Sequence, residues 1–262
     1  MRPTDLPADF STPNTARLCD YFLGGAFNNA IDRELGVQIA AAAPDVRSYV
    51  RSNRDFLRRV VRYAAGEGIT QFLDIGAGIP TMGAVHDVAR TVSPWVRVLY
   101  VDSNESAVNH SNTILDGDPN VRAIRADLRN PDHILRKAAE FLDFSQPIGL
   151  LTVAVLHFIP DSDNPEALLA GYHTALPRGS YHALSHATLD FDAAQMAAAI
   201  STFEQDHDRQ DRVIARTFDQ VAALMGAELE LVKPGVVPTE LWWPDGPSTA
   251  TSGAYAVLAR KP

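Results

Sequence analysis

Apolar residues along the chain follow two alternating patterns. Short segments rich in apolar residues lie at 70–78, 96–102, 121–126, 148–156, 180–188, 227–232 and 253–260. Such segments predict buried strands. The intervening segments carry apolar residues three or four positions apart, which predicts helices. These helices are expected at 81–92, 106–115, 132–142, 165–176, 193–200 and 216–225.

The amino-terminal region differs from this alternation. A Pro-rich arm at 1–15 leads into a helical pattern over 15–43 that Gly24 and Gly25 interrupt. A second helix is expected at 46–67. Polar residues surround the glycine pair, which favours a lid over a ligand crevice, and a simple turn between two helices is the alternative.

Strands that alternate with helices predict a parallel sheet covered on both faces. Because crossovers between parallel strands are right-handed, the expected fold is α/β, with a doubly wound, seven-stranded and mostly parallel sheet. The loops at the carboxyl ends of the strands then form the ligand crevice. We expect an arm and helical lid at 1–68 and a catalytic domain at 69–262, joined in one compact unit.

Composition narrows the class of protein. The 262 residues are 46% hydrophobic and carry a net charge of −9, which argues against a nucleic-acid partner because such proteins usually present a basic patch. No apolar stretch is long enough to span a membrane, and no secretory signal is visible. The single cysteine, Cys19, fits a reduced, cytoplasmic setting.

The first strand ends in a glycine turn formed by Asp74, Ile75, Gly76, Ala77 and Gly78. Glycines allow a ligand to approach the backbone, and the next helix offers free N–H groups. Asp74 would repel a pyrophosphate but attract an ammonium group. Thr81 stands where the dinucleotide fingerprint needs a third glycine. The turn therefore favours a nucleoside that carries an amino acid over NAD, and a plain structural turn is the alternative.

Two further acids end the second and third strands. Asp102 is placed to accept both hydroxyls of a ribose, and Asp127 is placed to meet the exocyclic amine of adenine. Each could instead be a solvated residue of a turn or helix cap.

The glycine turn and the strand-end acids resemble those of Rossmann-like S-adenosylmethionine-dependent methyltransferases. The segments 153–158 and 176–181 are also similar to that superfamily. The resemblance implies S-adenosylmethionine as the cofactor and an antiparallel seventh strand that forms a hairpin with the sixth. It also implies cofactor contacts from Ser103, Leu128 and Ala154.

The amino-terminal segment from Ala16 to Asn28, with Asp32, is similar to the opening of an actinobacterial methyltransferase family formerly known only as a domain of unknown function. The segment 51–57 fits the same family, so the resemblance covers nearly the whole chain. Many relatives carry Lys where this chain has Ala26, which implies a difference in specificity or rate. The family implies no particular acceptor.

Further site candidates lie outside the strand ends. Arg54 is placed to bind the cofactor's carboxylate, with a surface ion pair as the alternative. Gly24 and Gly25 would reach the cofactor from the lid. His157 follows the fourth strand as a candidate general base, with a histidine satisfied by backbone groups as the alternative. Tyr21 is the second catalytic candidate.

Three other features have a structural interpretation at least as strong as a functional one. Trp242 and Trp243 could line an acceptor pocket or anchor a loop on the core. His182 and His186 lie four apart without a nearby acidic ligand, so no metal site is expected. His207 lies in an acidic stretch and should be solvated.

Methyl transfer is a displacement at an activated sulfonium carbon, so alignment and exclusion of water matter more than a base. The acidic charge and the expected lid favour a small-molecule acceptor. The alternatives are a non-catalytic S-adenosylmethionine-binding regulator and an NAD-dependent oxidoreductase. An inactive scaffold is disfavoured by the intact glycine turn and acids.

Overall fold

The computed structural model describes residues 12–205, 212–246 and 253–262. Most of the expected arm, and His207, lie outside these ranges. The helices are α1 Thr15–Leu23, α2 Ala30–Ala42, α3 Val46–Gly66, α4 Val85–Arg90, α5 Glu105–Ile114, α6 Pro131–Ala139, α7 Pro165–Ala175, α8 Ala193–Phe203 and α9 Phe218–Ala223. The strands are β1 Gln71–Ile75, β2 Arg97–Asp102, β3 Val121–Arg125, β4 Gly149–Val153, β5 Tyr181–Ala187, β6 Glu230–Leu231, β7 Val237–Pro238 and β8 Ala254–Arg260.

The strands form one sheet in the order β3-β2-β1-β4-β5-β8-β6, and β7 also pairs with β8. β1 to β5 are parallel, and β8 is antiparallel to β5. This arrangement confirms the doubly wound, mostly parallel sheet. It also brings the loops after β1 and β4 side by side, because these two strands are neighbours.

The sixth strand differs from the prediction. The expected strand at 227–232 is shortened to β6, and an additional strand that was not predicted, β7, pairs with the opposite end of the same edge of β8. Between them lie Pro234, which has no N–H to donate, and Gly235, which has a φ of +87°. These two residues interrupt the pairing, so the sheet has eight strands and not seven.

Two expected helices are also divided or shortened by glycine. Gly24, with a φ of +83°, caps α1, and α2 begins after Asn29, whose side chain accepts hydrogen bonds from the backbone N–H groups of Ile31 and Asp32. The expected helix at 81–92 begins only at Val85, because Gly83 has a φ of +73°.

Side chains on the two faces of the sheet enter separate apolar cores. Leu73 and Ile75 pack on the side of α6, α7 and α9, whereas Phe72 packs with Phe56 and Val60 of α3 on the other side. Since side chains alternate along a strand, Asp74 points to the same side as Phe72, beneath α3. The alternation therefore places a carboxyl group between the end of β1 and α3.

Trp242 belongs to this second core. Its ring is fully buried, 5.6 Å from that of Phe56 between ring centroids, and Arg59 donates to its carbonyl oxygen at 2.8 Å. Trp243 remains half exposed beside Tyr63. The structure therefore supports the loop anchor. Within the described ranges, none of the helices has both the length and the hydropathy needed to cross a bilayer.

Candidate functional site

A cavity of about 690 Å³ opens at the carboxyl ends of the parallel strands. Residues that follow β1, β2, β3, β4 and β5 line one part of it, and residues of α1, α2, α3 and α8 line the rest. Its volume is in the range of small-molecule sites. The cavity lies where the doubly wound topology predicts the ligand crevice.

The glycine turn after β1 has a backbone that few other residues could adopt. Gly76 has a φ of +74°, and a Cβ atom on it would lie 2.2 Å from Cγ2 of Val155. Gly78 has a φ of +62°, and its N–H donates to Oδ2 of Asp102 at 2.8 Å. The turn is thus fixed between the loops after β2 and β4, and Ile75 to Gly78 all line the cavity.

Asp102 lies at the cavity wall and holds two loops together. Besides Gly78, it accepts a hydrogen bond from the N–H of Asn104 at 2.9 Å, which orders the start of α5. Ser103 lies beside it on the wall.

Asp74, which is buried, and Arg54, which is half-buried, are two groups of opposite charge on the cavity wall. Burial raises the pKa of Asp74 to about 7, although Arg54 acts to lower it and Asp102 to raise it. Burial also lowers the pKa of Arg54, against the effect of Asp74. In the described part of the chain neither side chain makes a hydrogen bond or a close ion pair. Both line the cavity with their polar groups unsatisfied by protein.

Asp127 also lines the cavity, with Leu128 beside it. Its carboxylate accepts from Nε of Arg129 at 3.0 Å, and this contact lowers the pKa of Asp127. The sequence did not indicate this partner. Arg129 leaves fewer of the Asp127 lone pairs for an adenine than the sequence led us to expect.

The loop after β4 is held by a network that sequence reasoning missed. Ala154 lines the cavity with a φ of +56°, and its N–H donates to Oγ of Ser185 at 3.0 Å. Ser185 in turn donates to Oδ1 of Asn53 on α3 at 2.5 Å. The network connects the end of β4 to β5 and to α3.

His157 lies in a short 3-10 turn at Leu156–Phe158 and lines the cavity. It is buried, and among the described residues nothing hydrogen-bonds to its Nδ1 atom. Burial, with smaller effects from His186 and Arg216, lowers the pKa of His157 to about 3. The imidazole is therefore neutral at pH 7 and a weak base.

Arg216 fixes this turn, and no local signal in the sequence marked it. The buried guanidinium donates to the carbonyl oxygens of Leu156 at 3.1 Å and Ile159 at 2.9 Å. It also reaches Nε2 of His186 at 2.7 Å and Oδ1 of Asp161 at 2.6 Å. Four contacts from one side chain set the position of His157.

Tyr21, Gly24 and Gly25 are not among the residues that line the cavity, although their neighbours Asp20 and Phe22 are. The Tyr21 hydroxyl accepts a hydrogen bond from Arg47 at 2.9 Å, and its ring packs so closely on Gly36 that a Cβ there would lie 2.5 Å away. Gly24 caps α1, and Gly25 packs on Asp20. These residues shape the turn between α1 and α2, so the simple-turn alternative describes them. Ala26 is exposed and also lies off the wall.

The polar residues near the glycine pair hold the connection between α1 and α2 in place, and Asp20 also lies on the cavity wall. Asp20 accepts hydrogen bonds from the N–H of Phe27 at 2.7 Å and from Oγ1 of Thr81 at 2.9 Å. Arg17 and Asp32 form a fully buried ion pair at 2.6 Å. Because Thr81 follows the glycine turn, its contact joins α1 to the loop after β1.

A family model described as S-adenosyl methyltransferase matches residues 3–262. The chain belongs to the S-adenosyl methyltransferase family. Its cofactor is S-adenosylmethionine, as the sequence resemblance implied, and neither a nicotinamide oxidoreductase nor a non-catalytic regulator is supported. The search of the curated proteins found no match.

Two solved structures are similar to this S-adenosyl methyltransferase over almost their whole lengths. A candidate methyltransferase from Thermobifida fusca YX is 34% identical, with 97% of this chain and 96% of that chain covered and a TM-score of 0.88. A DUF574 family protein from Streptomyces avermitilis MA-4680 is 32% identical, with 97% and 99% covered and a TM-score of 0.89. The N-methyltransferase NodS from Bradyrhizobium japonicum WM9, at 14% identity, 88% and 97% coverage and a TM-score of 0.52, shares the fold alone.

Proposed function

We propose that this S-adenosyl methyltransferase methylates a small-molecule acceptor bound in the same cavity as the cofactor. The observation that carries the proposal is the pair of unsatisfied opposite charges, Asp74 and Arg54, on the wall of a lidded cavity. The single cysteine supports a cytoplasmic enzyme, and the net charge of −9 supports an acceptor other than nucleic acid.

Asp74 and Arg54 would hold the amino-acid part of the cofactor. A buried carboxylate suits an ammonium group, and a guanidinium suits a carboxylate through two parallel hydrogen bonds. A ligand that carries both groups would satisfy both side chains at once. A buried charge without a partner is costly, so the pair supports a zwitterionic ligand over a neutral one.

The remaining wall would hold the nucleoside. Asp102, on the cavity wall, would accept hydrogen bonds from the ribose hydroxyls, with Ser103 beside it. Asp127 and Leu128 would flank the adenine. At the glycine turn and at the end of β4, the nucleoside would approach the backbone closely. The residues there are Ile75, Gly76, Ala77, Gly78 and Ala154.

The bound cofactor supplies a methyl group activated by a sulfonium charge. The protein then has to align the acceptor and exclude water. His157 is too weak a base to take a proton from a hydroxyl group unaided, because its pKa is about 3. We assign it the role of a neutral hydrogen-bonding group that orients the acceptor.

Calorimetric titration with S-adenosylmethionine, S-adenosylhomocysteine and NADH tests this proposal. We expect the two sulfur nucleosides to bind and NADH not to bind. Asp102→Ala should weaken binding of both sulfur nucleosides by about 10- to 100-fold, because it removes hydrogen bonds to a charged acceptor. The control is Asp116→Ala, an exposed acid that does not line the cavity.

Binding of NADH in place of the sulfur nucleosides would overturn the proposal. Unchanged affinity in a folded Asp102→Ala variant would remove Asp102 from the cofactor site. Circular dichroism of both variants establishes that the fold is retained, which matters because Asp102 also holds the glycine turn.

A further inference from the structure

The part of the cavity away from the strand ends is lined by apolar side chains of α1, α2, α3, α8 and the turn after β4. We call this part the apolar chamber, and its wall includes Phe22, Ile39, Val50, Phe158, Ala199 and Phe203. These residues belong to a hydrophobic cluster separate from the two cores of the sheet. The chamber adjoins the loop after β4 and therefore lies next to the proposed cofactor site.

The polar groups near the chamber carry no positive charge. Burial raises the pKa of Tyr49, so its phenol stays neutral, and His157 is neutral as well. Among the described wall residues, the cations are Arg54 and Arg129. Arg129 is bound to Asp127, and Arg54 is assigned to the cofactor. An acceptor with an anionic group would therefore have no partner for its charge.

Two exposed carboxylates line the same cavity. Asp45 and Asp192 both accept from the side-chain N–H₂ group of Gln195, at 3.1 Å and 2.8 Å. In the described ranges neither forms an ion pair with a cationic side chain. Unpaired carboxylates beside an opening raise the local concentration of cations.

Resting on the proposed function, we propose that the acceptor is an apolar amine. Its hydrocarbon body fills the apolar chamber, and it enters as an ammonium ion past Asp45 and Asp192. Removal from water favours loss of its proton to solvent, which frees the nitrogen lone pair. His157 then accepts a hydrogen bond from the remaining N–H.

The bond changes require no strong base. The nitrogen lone pair forms the new N–C bond as the C–S bond breaks, and the electrons of that bond return to sulfur. The product is a methylated ammonium ion, which leaves as a cation; the one proton released is the proton that the acceptor lost to solvent before the transfer. A hydroxyl acceptor would instead need a base to remove its proton. His157 beside the chamber is only weakly basic, and Asp74, the wall carboxyl group with a pKa of about 7, is assigned to the cofactor's ammonium group.

The first test compares matched probes with the cofactor-loaded protein: phenethylamine, 2-phenylethanol, 3-phenylpropionate and ethanolamine. Formation of S-adenosylhomocysteine and of the methylated product is followed by mass spectrometry. We expect phenethylamine to react at least about tenfold faster than each of the others, since a buried unpaired anion or an unfilled apolar chamber is unfavourable. Faster methylation of the alcohol or the carboxylate overturns the amine assignment, as does a protein that binds S-adenosylmethionine and methylates none of the probes.

The second test fills the chamber. Ala199→Trp should lower phenethylamine methylation by at least about tenfold and leave S-adenosylmethionine affinity unchanged, because overfilling acts only on the chamber side. Ala197→Trp is the matched control, since Ala197 is exposed on the same helix and off the cavity wall. Equal activity of the two variants overturns the location of the acceptor.

A third variant covers the case in which Ala199→Trp does not fold. Asp192→Asn keeps a side chain that caps α8 but removes the charge. It should raise KM for phenethylamine about threefold or more at low salt, with a smaller effect at high salt. An unchanged KM overturns the role of the carboxylates. Failure of the wild-type protein to bind S-adenosylmethionine would instead refute the proposed function itself.

Discussion

Asp74 shows at a single residue how a ligand site opposes stability. Its usual pKa is 3.8, and burial raises the pKa to about 7. Between these values the folded state binds more protons than the unfolded state, so the free energy of unfolding falls as the pH rises toward 7. The charged carboxylate therefore destabilises the protein without ligand and stabilises the complex once an ammonium group is bound.

We therefore expect Asp74→Asn to stabilise the protein at pH 8 and to have little effect at pH 4. The gain at pH 8 has an upper limit of about 4 kcal/mol, from a shift of about three pKa units. Cofactor affinity should fall in the same variant. Thermal unfolding at the two pH values and calorimetry provide the measurements, and a stability difference that does not depend on pH would contradict the assignment.

Gly76 permits a second prediction at this scale. Gly76→Ala should cost about 3 kcal/mol or more, because it combines a left-handed backbone with an overlap on Val155. Gly117→Ala is the control: its φ is +84°, but nothing lies within 4 Å of the added Cβ, so about 1 kcal/mol is expected. Urea unfolding compares them, and equal losses would show that Val155 imposes no constraint.

The residues that the sequence predicted and those that it did not differ in a simple physical respect. Asp74 and Asp102 follow buried strands, and the topology alone brings strand ends together. Asn53, Ser185 and Arg216 lie in or beside elements far apart in the chain, and they meet only through tertiary packing. No local pattern distinguishes them from ordinary polar positions.

At the scale of elements, a buried ion pair between Arg17 and Asp32 joins α1 to α2. Asp32→Asn should cost about 3–5 kcal/mol, because it leaves the Arg17 guanidinium buried without its counter-charge. Glu105→Gln is the control in an exposed pair with Arg125, where less than about 1 kcal/mol is expected. Denaturant unfolding measures both, and similar losses would show that burial of the first pair is unimportant.

The turn after β4 provides another test at this scale. Arg216→Lys cannot reproduce the four contacts of the guanidinium, so His157 should lose its fixed position. We expect kcat for the acceptor to fall at least about tenfold while cofactor affinity stays within about twofold. A parallel loss of cofactor affinity would show that Arg216 supports the whole site and not only the turn.

The elements themselves were predicted where the apolar pattern was continuous, and missed where short-range geometry overrode it. β1 to β5 were expected from buried apolar runs and were found. Only part of the strand expected at 227–232 was found, as β6, and β7, which lies beyond Pro234 and Gly235, was not predicted. The lid was expected from the glycine pair, and α1 contributes both apolar and polar residues to the cavity wall, among them Leu18, Phe22 and Asp20.

At the scale of the molecule, we propose that lid and sheet unfold as one unit, because Asp20–Thr81 and Asn53–Ser185 join them. S-adenosylmethionine at 100 times its Kd should then stabilise the whole protein by about 2.7 kcal/mol in a single transition. NADH should produce no shift. Scanning calorimetry measures the shift in the unfolding transition. Two separate transitions, of which only one responds to the ligand, would contradict unfolding as a single unit.

The position of β8 affects how the chain reaches this structure. β8 lies between β5 and β6, yet it is far from β5 in the sequence and pairs with it along its full length. Contacts between residues that are far apart in the sequence form slowly. Until β8 pairs with β5, an apolar edge of β5 is open to strands of other chains. A low protein concentration should therefore favour refolding, and a high protein concentration should favour aggregation.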